Sequence, residues 1–495
     1  MQTLLKPFLL AGVATSLLAG CSVDGTVKLD LPMISDTQAE KIDGIFSSFD
    51  EKSPGCAVGI IRNSETVFEK GYGLANLDYD QPITPDTVFD IASVSKQFAA
   101  MALIMLADEG VVSLDDDVRK YVPEIPDYGT VITLRQLMNH TSGLRDIFML
   151  GTLMGESEKD YFTEDEFLAR IARQKAPIFE PGSAFRYSNT GYLLMGIIVG
   201  RTTGQTLAEY TKEKIFDPLG MEHTFFGDDA TRVVKNRATG YFPNDEGGYK
   251  RGVTLLEIIG EGGLLTTVRD LALWDRDFYE GKVWRPEIKA EMLKAGLLSN
   301  GETAAFLMET NGVYAGGLVT GKRRGLPIVR HGGTFVGFRT DMLRFPEQKF
   351  TVITLCNLGT ADPNTLANQV ADLFLEDEYT EPAPEVVDYE AFASPEAIPP
   401  IDPDFLKEIA GTYYSEELRT NFRFEPDGER VKIFISERRI RLDVADYMSS
   451  PIGQLGDDVI GDEVFKFTFE RSAGKIVGFN LVLVNGSGFE FSRVD

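Results

Sequence analysis

Three histidines, three cysteines and two tryptophans are all that 495 residues contain of those types. No histidine falls in an H-E-x-x-H pattern and there is no paired C-x-x-C, so neither a zinc nor an iron centre is indicated and no cofactor is implied. Positive charge is also short: 49 Lys and Arg stand against 76 Asp and Glu, a formal net charge of −27. Neutralising phosphates requires clustered cations, and the basic runs Lys322-Arg323-Arg324 and Arg438-Arg439 are too short to supply them, which excludes a nucleic-acid partner. What is present, 43% hydrophobic and 25% charged residues, is the composition of a globular chain with a large core. By length it should divide into two or three domains.

The first 21 residues read as an address rather than as fold. Lys6 precedes an apolar run over residues 8–18, too short to span a bilayer and the right length for the hydrophobic region of a signal peptide. The run ends in Leu18-Ala19-Gly20-Cys21, which resembles a bacterial lipobox; the expectation is export to the cell envelope with a lipid anchor on Cys21. Ser22 rather than Asp follows, which by the same resemblance favours the outer membrane of a Gram-negative cell. The other cysteines, Cys56 and Cys356, each sit in a run that reads as a buried strand, where a packed thiol is expected; they can pair only if those strands are neighbours.

Residues 36–378 mix helix and strand signals, residues 379–403 read as a Pro-rich linker, and residues 404–495 turn into short strands separated by Pro426-Asp427-Gly428 and Ser472-Ala473-Gly474. The tail is therefore expected to be a small antiparallel β-barrel or sandwich. In the larger unit a hairpin is expected over 58–61 and 67–72, a meander over 328–331, 338–345 and 350–356, and helices over 96–109, 164–173, 192–202, 207–215 and 268–278. The fold class is α/β in the α+β sense: an antiparallel sheet from both chain ends, flanked by helices, with a helical insertion and a cleft between.

Ser93-Val94-Ser95-Lys96 opens a segment, residues 97–106, that is apolar nearly all round, as expected of a helix at a domain centre. On a helix, i and i+3 share a face, so the Ser hydroxyl and the Lys amine come within reach. The same spacing at Ser472-Ala473-Gly474-Lys475 lies at a hairpin tip and reads as an exposed turn. Asp90-Ile91-Ala92-Ser93-Val94-Ser95-Lys96, Asn139-His140-Thr141-Ser142-Gly143-Leu144, Tyr187-Ser188-Asn189, Pro218-Leu219-Gly220-Met221 and Gly262-Gly263-Leu264, in that order, resemble the class C beta-lactamase and D-Ala-D-Ala carboxypeptidase superfamily over roughly residues 38 to 376. The tail resembles the lipocalin-like barrel attached to many such hydrolases.

The resemblance implies a beta-lactamase/transpeptidase-like fold and acyl transfer to Ser93, with Lys96 or Tyr187 as proton acceptor and Asn189 holding the substrate amide. It also implies an oxyanion site on the backbone N–H groups of Ser93 and Thr334. Read alone, Tyr187 is a packing aromatic and Asn189 a helix N-cap. His140 reads as a structural loop histidine and His223 as part of a surface turn. Arg339 either reaches a substrate carboxylate or pairs within its own strand. Where the lactamases carry K-T-G, this chain has His331-Gly332-Gly333, a form similar to the H-x-G of D-aminopeptidases. His331 and Gly333 are thus expected at the substrate site, and a histidine of ordinary pKa, ~6.5, would lose its attraction for a carboxylate by pH 8. Three activities follow: a peptidase or esterase on a small-molecule or short-peptide substrate, a class C-type beta-lactamase, or a noncatalytic peptidoglycan-binding envelope lipoprotein. The sequence leaves the oligomeric state open.

Overall fold

Strands buried on both faces need apolar residues at consecutive positions, and the runs around Cys56 and Cys356 have them. The structure, a computed structural model, describes residues 34–156, 160, 162–306, 312–383, 399–435, 452–462, 465–483 and 488–495. In Cys56–Arg62, Val58 and Ile60 enter one buried cluster with Leu343, Phe350 and Val352, while Ala57 and Ile61 enter another with Ile353 and Leu355. The alternation is the period-two geometry of a strand between two helical layers.

The main sheet has eight strands, all antiparallel to their neighbours. Its order is Ala305–Phe306, Gly312–Tyr314, Val319–Arg323, Leu326–Phe335, Phe338–Phe345, Phe350–Cys356, Cys56–Arg62 and Glu65–Tyr72. The N-terminal hairpin thus joins the late meander, as expected of a sheet made from both chain ends. Cys56 lies directly opposite Cys356 and the two form a disulfide, with Cα atoms 4.0 Å apart. Both residues are buried, as expected, and the condition on which pairing was left open is met: the two strands are neighbours, and their register brings the sulfurs together.

Helices Asp36–Ile45 and Pro363–Leu375 cover one face. Helix Val268–Glu280 covers the other so closely that a Cβ at Gly59 would run into the Val268 side chain. Beyond it lies helix Lys96–Asp108, whose residues 96–106 are all buried, and which packs on Asn189–Thr203. Trp274 Nε1 donates to Gln97 Oε1 at 2.7 Å, tying the central helix to the layer on the sheet. The expected helix over 207–215 is Leu207–Thr211 followed by a π-turn, Lys212–Phe216. Among the described residues no helix is long and apolar enough to cross a membrane. Cys21 and the rest of the expected signal segment lie outside the described residues.

Downstream, eight antiparallel strands form a second, nearly closed sheet in the order Arg430–Ile435, Thr420–Asp427, Gly411–Ser415, Phe489–Arg493, Lys475–Leu483, Phe465–Ser472, Val459–Gly461 and Gly453–Gly456. Tyr413, Phe422, Phe424, Phe467, Phe469, Phe479 and Phe491 fill it, with Phe479 stacked on Phe491 at 4.4 Å. Ser472, Ala473 and Gly474 form a hairpin tip in which Ala473 and Gly474 both have positive φ, so that S-x-x-K copy is a turn. Pro403, read as linker, instead opens helix Pro403–Ile409: the Asp402 side chain caps it, and a proline in the first turn forfeits no helical hydrogen bond.

Candidate active site

Ser93 occupies a single 3₁₀ turn, Ala92–Ser95, that runs straight into helix Lys96–Asp108. Ala92, just before it, has φ +49°, a left-handed conformation that costs a non-glycine residue roughly 1–3 kcal/mol. The Asp90 carboxylate secures it by accepting from Ala92 N at 2.8 Å. This bend projects Ser93 at the mouth of the helix, one turn from Lys96.

Lys96 is fully buried, and its Nζ has three oxygen neighbours: Ser93 Oγ at 3.1 Å, Asn189 Oδ1 at 2.9 Å and the Glu261 carbonyl at 2.5 Å. Burial brings its pKa down to about 7, against the opposing charges of Glu261 and Asp146. A neutral amine keeps two N–H donors and one lone pair. Asn189 and the Glu261 carbonyl accept those donors, so the lone pair faces the Ser93 hydroxyl, and that geometry suits proton abstraction.

Asn189 is the first residue of helix Asn189–Thr203, not its N-cap; Ser188 takes that position without a side-chain cap bond. The Asp146 carboxylate accepts from Asn189 N at 2.6 Å and from Asn189 Nδ2 at 2.9 Å, which leaves Asn189 Oδ1 turned toward Lys96. Tyr187 sets its ring 4.9 Å from Lys96 Nζ and 4.2 Å from the His140 ring, and its hydroxyl interacts with Ser93. Burial drives the Tyr187 pKa well above its ordinary value, with Asp146 and Glu261 adding to the effect, so the phenol is held protonated. His140 is buried at φ +57° and accepts from Ser188 N through Nδ1 at 3.1 Å, which makes it the structural histidine expected. His223 is exposed.

His331 requires a correction. It is buried, its Nδ1 lies 2.6 Å from the Gly332 carbonyl and its Nε2 lies 3.1 Å from the Tyr314 hydroxyl. A neutral ring protonated on Nδ1 satisfies both bonds. Burial, then the nearby charges of Lys96 and Arg330, bring its pKa down to about 3 despite the bond to Gly332. The ring is therefore uncharged throughout the neutral range, and the expected loss of attraction between pH 6 and 8 does not arise. Gly333 lies against the turn before Ser93: a Cβ there would collide with the Ile91 carbonyl and the Thr340 hydroxyl. Thr334 follows it, exposed, opposite Arg339 in the ladder. Arg339 is half-buried and donates to the Phe338 carbonyl at 2.9 Å, within its own strand.

Three neighbours escaped the sequence reading. Glu261 is buried, with its carboxyl pKa pushed up by burial, and Oε2 has no hydrogen-bond partner. Its signal was an acid in the apolar context Ile258-Ile259-Gly260-Glu261, directly before Gly262-Gly263-Leu264. Asp146 stands two residues after Leu144, and only tertiary contact reveals its part. Tyr314, buried among Tyr187, His140 and His331, gave no sequence signal.

Residues 42–375 match the family model described as Beta-lactamase, more than half of the chain. The chain belongs to the beta-lactamase family. This beta-lactamase-family chain is 27% identical over 328 residues to a D-aminopeptidase of Gluconobacter oxydans, covering 66% of the chain and 60% of that protein. It is 28% identical over 305 residues to penicillin-binding protein 4* of Bacillus subtilis, covering 59% of the chain and 66% of that protein. The match thus spans less than two thirds of either curated relative. Among solved structures, the octameric penicillin-binding protein homologue from Pyrococcus abyssi superposes with a TM-score of 0.61 at 24% identity, over 92% of this chain and 99% of that one. The D-amino acid amidase from Ochrobactrum anthropi superposes at 0.57 and 23% identity, over 69% and 99%. These likenesses establish the fold.

Proposed function

We propose that the chain is a serine hydrolase that cleaves an amide or ester of a D-amino-acid or peptidoglycan-like peptide through an acyl-enzyme on Ser93. The observation that carries this reading is the buried Lys96 amine, 3.1 Å from Ser93 Oγ and held there by Asn189 Oδ1 and the Glu261 carbonyl. Lys96 takes the hydroxyl proton as Ser93 Oγ bonds to the substrate carbonyl carbon. The resulting oxyanion rests on the N–H groups of Ser93 and Thr334. The protonated Tyr187 hydroxyl, next to Ser93, relays the proton from Lys96 to the leaving amine or alcohol as the old bond breaks, and water then releases the acyl group by the reverse path. Asn189 has its Nδ2 on Asp146 and its Oδ1 on Lys96, so it orients the base as well as meeting the substrate amide.

The D-aminopeptidase relatives support a D-amino-acid substrate. The neutral His331 supports it further, because a penicillin or a terminal D-Ala offers a carboxylate and this position supplies no cation for it. Lactamase activity is accordingly the second reading, and a noncatalytic binding lipoprotein is disfavoured by the complete Ser, Lys, Tyr and Asn set. Anchoring through a lipid on Cys21 and a lipocalin-like tail belong to the same proposal. Intact mass after a fluorophosphonate, a penicillin and a chromogenic ester, followed by a panel of D-amino-acid amides, tests it. Ser93→Ala should abolish labelling and turnover with the fold unchanged, while Ser472→Ala should change neither. Label retained by the Ser93 variant would overturn the assignment.

A further inference from the structure

The main domain holds its Tyr187-Ser188-Asn189 segment through one loop, residues 140–146. His140 Nδ1 accepts from Ser188 N, the Leu144 carbonyl from Ser188 Oγ at 3.3 Å, the Arg145 carbonyl from Thr190 Oγ1 at 2.7 Å, and Asp146 from both nitrogens of Asn189. Arg145 is the residue in that loop whose side chain leaves the domain. Its guanidinium meets Glu417 of the C-terminal barrel in an ion pair whose side chains are 4% and 3% exposed. It also donates to the Gly488 carbonyl at 3.0 Å and lies 3.9 Å from the centre of the Phe489 ring, both in the barrel. On its own side it donates to Gln174 Oε1 at 3.0 Å. Glu417 in turn accepts from Lys175 N at 2.9 Å, so one barrel carboxylate fixes two segments of the hydrolase domain.

A charge buried this deeply is held only with its partner in place. Arg145 has no bond to Ser93 or Lys96, yet the residue after it carries the carboxylate that orients Asn189. We propose that the barrel is a working part of the catalytic apparatus, with Glu417 as a positioning residue that acts through Arg145 and Asp146 on Asn189 and hence on the Lys96 amine. Freed of Glu417, the Arg145 side chain seeks solvent and draws the loop with it. Asp146 then releases Asn189, and Lys96 loses the acceptor that turns its lone pair to Ser93. The inference rests on Ser93 being the nucleophile and is independent of the substrate class.

The test is the rate of Ser93 acylation by a fluorophosphonate against reagent concentration and pH, in the full chain. Glu417→Gln should lower the limiting rate about 10- to 100-fold, the cost of a small misplacement of a reacting group, with little change in the half-saturating concentration. The acid limb should also move to lower pH, because Asp146, whose charge favours the Lys96 ammonium, shifts away. Glu417→Asp should recover part of the rate. Glu490→Gln removes the exposed barrel contact to Lys175 and should leave rate and profile unchanged. If Glu417→Gln does not fold, Glu417→Asp, which keeps the charge but withdraws it by one methylene from Arg145, takes its place; it too should acylate more slowly than the wild type. A wild-type limiting rate and profile in either folded variant would overturn the proposal. An unlabelled wild type would refute the nucleophile itself, and a labelled wild type that cleaves no D-amino-acid amide would refute only the substrate reading.

Discussion

Lys96 and Glu261 are two buried groups that push each other toward opposite charge states, and that opposition fixes how activity should depend on pH. Burial lowers the Lys96 pKa, while the negative Glu261 raises it again. Only the neutral amine can accept the Ser93 proton, so acylation should rise with pH through the Lys96 pKa and level off above it. Glu261→Gln removes the anion that stabilises the ammonium. The Lys96 pKa then falls further and the acid limb of kcat/KM should move to lower pH, by about one unit for a loss of ~1.4 kcal/mol of attraction. An acid limb that stays put or moves to higher pH would show that Glu261 does not act on Lys96. In the same profiles His331 stays neutral, so the ratio of kcat/KM for an uncharged amide to that for a penicillin should be constant from pH 6 to 9. A ratio that climbs across this range would mean that the ring carries charge in the working enzyme.

At the scale of elements, the sequence was legible where one period repeats over a whole segment. Phe338–Phe345 and Phe350–Cys356 have the bounds their patterns indicated, and helix Lys96–Asp108 follows from an unbroken apolar run after Ser93. Strand Gly411–Ser415 leaves no clear signal because its five residues carry too short an alternation, and Pro403 falls in the stretch that reads as linker although a first-turn proline is compatible with a helix. Ser93, Lys96, Tyr187 and Asn189 could be named because each sits in a local motif. Glu261, Asp146 and Tyr314 join the site from distant parts of the chain, and no local pattern records that. The disulfide belongs to this scale too: pairing follows from strand order, which neither cysteine's own strand reveals. Because it closes a loop across a sequence separation of 300, reducing it should cost about 2–5 kcal/mol of stability in denaturant titrations. Both cysteines belong to the buried cluster under helices Asp36–Ile45 and Pro363–Leu375, on the sheet face opposite helix Val268–Glu280, so the acylation rate of the folded, reduced protein should match that of the oxidised one. A slower rate would mean that the two disulfide-linked strands shift the site.

For the whole molecule, charge and address have to be weighed together. A chain with a formal net charge of −27 is repelled by anionic phospholipid, and its short basic runs offer no polybasic patch to overcome that. Among the described residues no helix can cross a bilayer. The proposed address assigns membrane residence to lipid at Cys21, and salt separates that from a charged surface: hydrophobic insertion is insensitive to it, whereas electrostatic adsorption is screened within about 8 Å at physiological ionic strength. In a Gram-negative host the wild type should sediment with membranes at both low and high salt, carrying lipid on Cys21 by mass. Cys21→Ala should appear in the soluble fraction at both, with its fluorophosphonate acylation rate unchanged, since Cys21 precedes in sequence every residue that builds the site. A Cys21→Ala protein that still sediments at high salt would show that some other surface binds the membrane, and unlipidated mature wild type in the periplasm would refute the anchor.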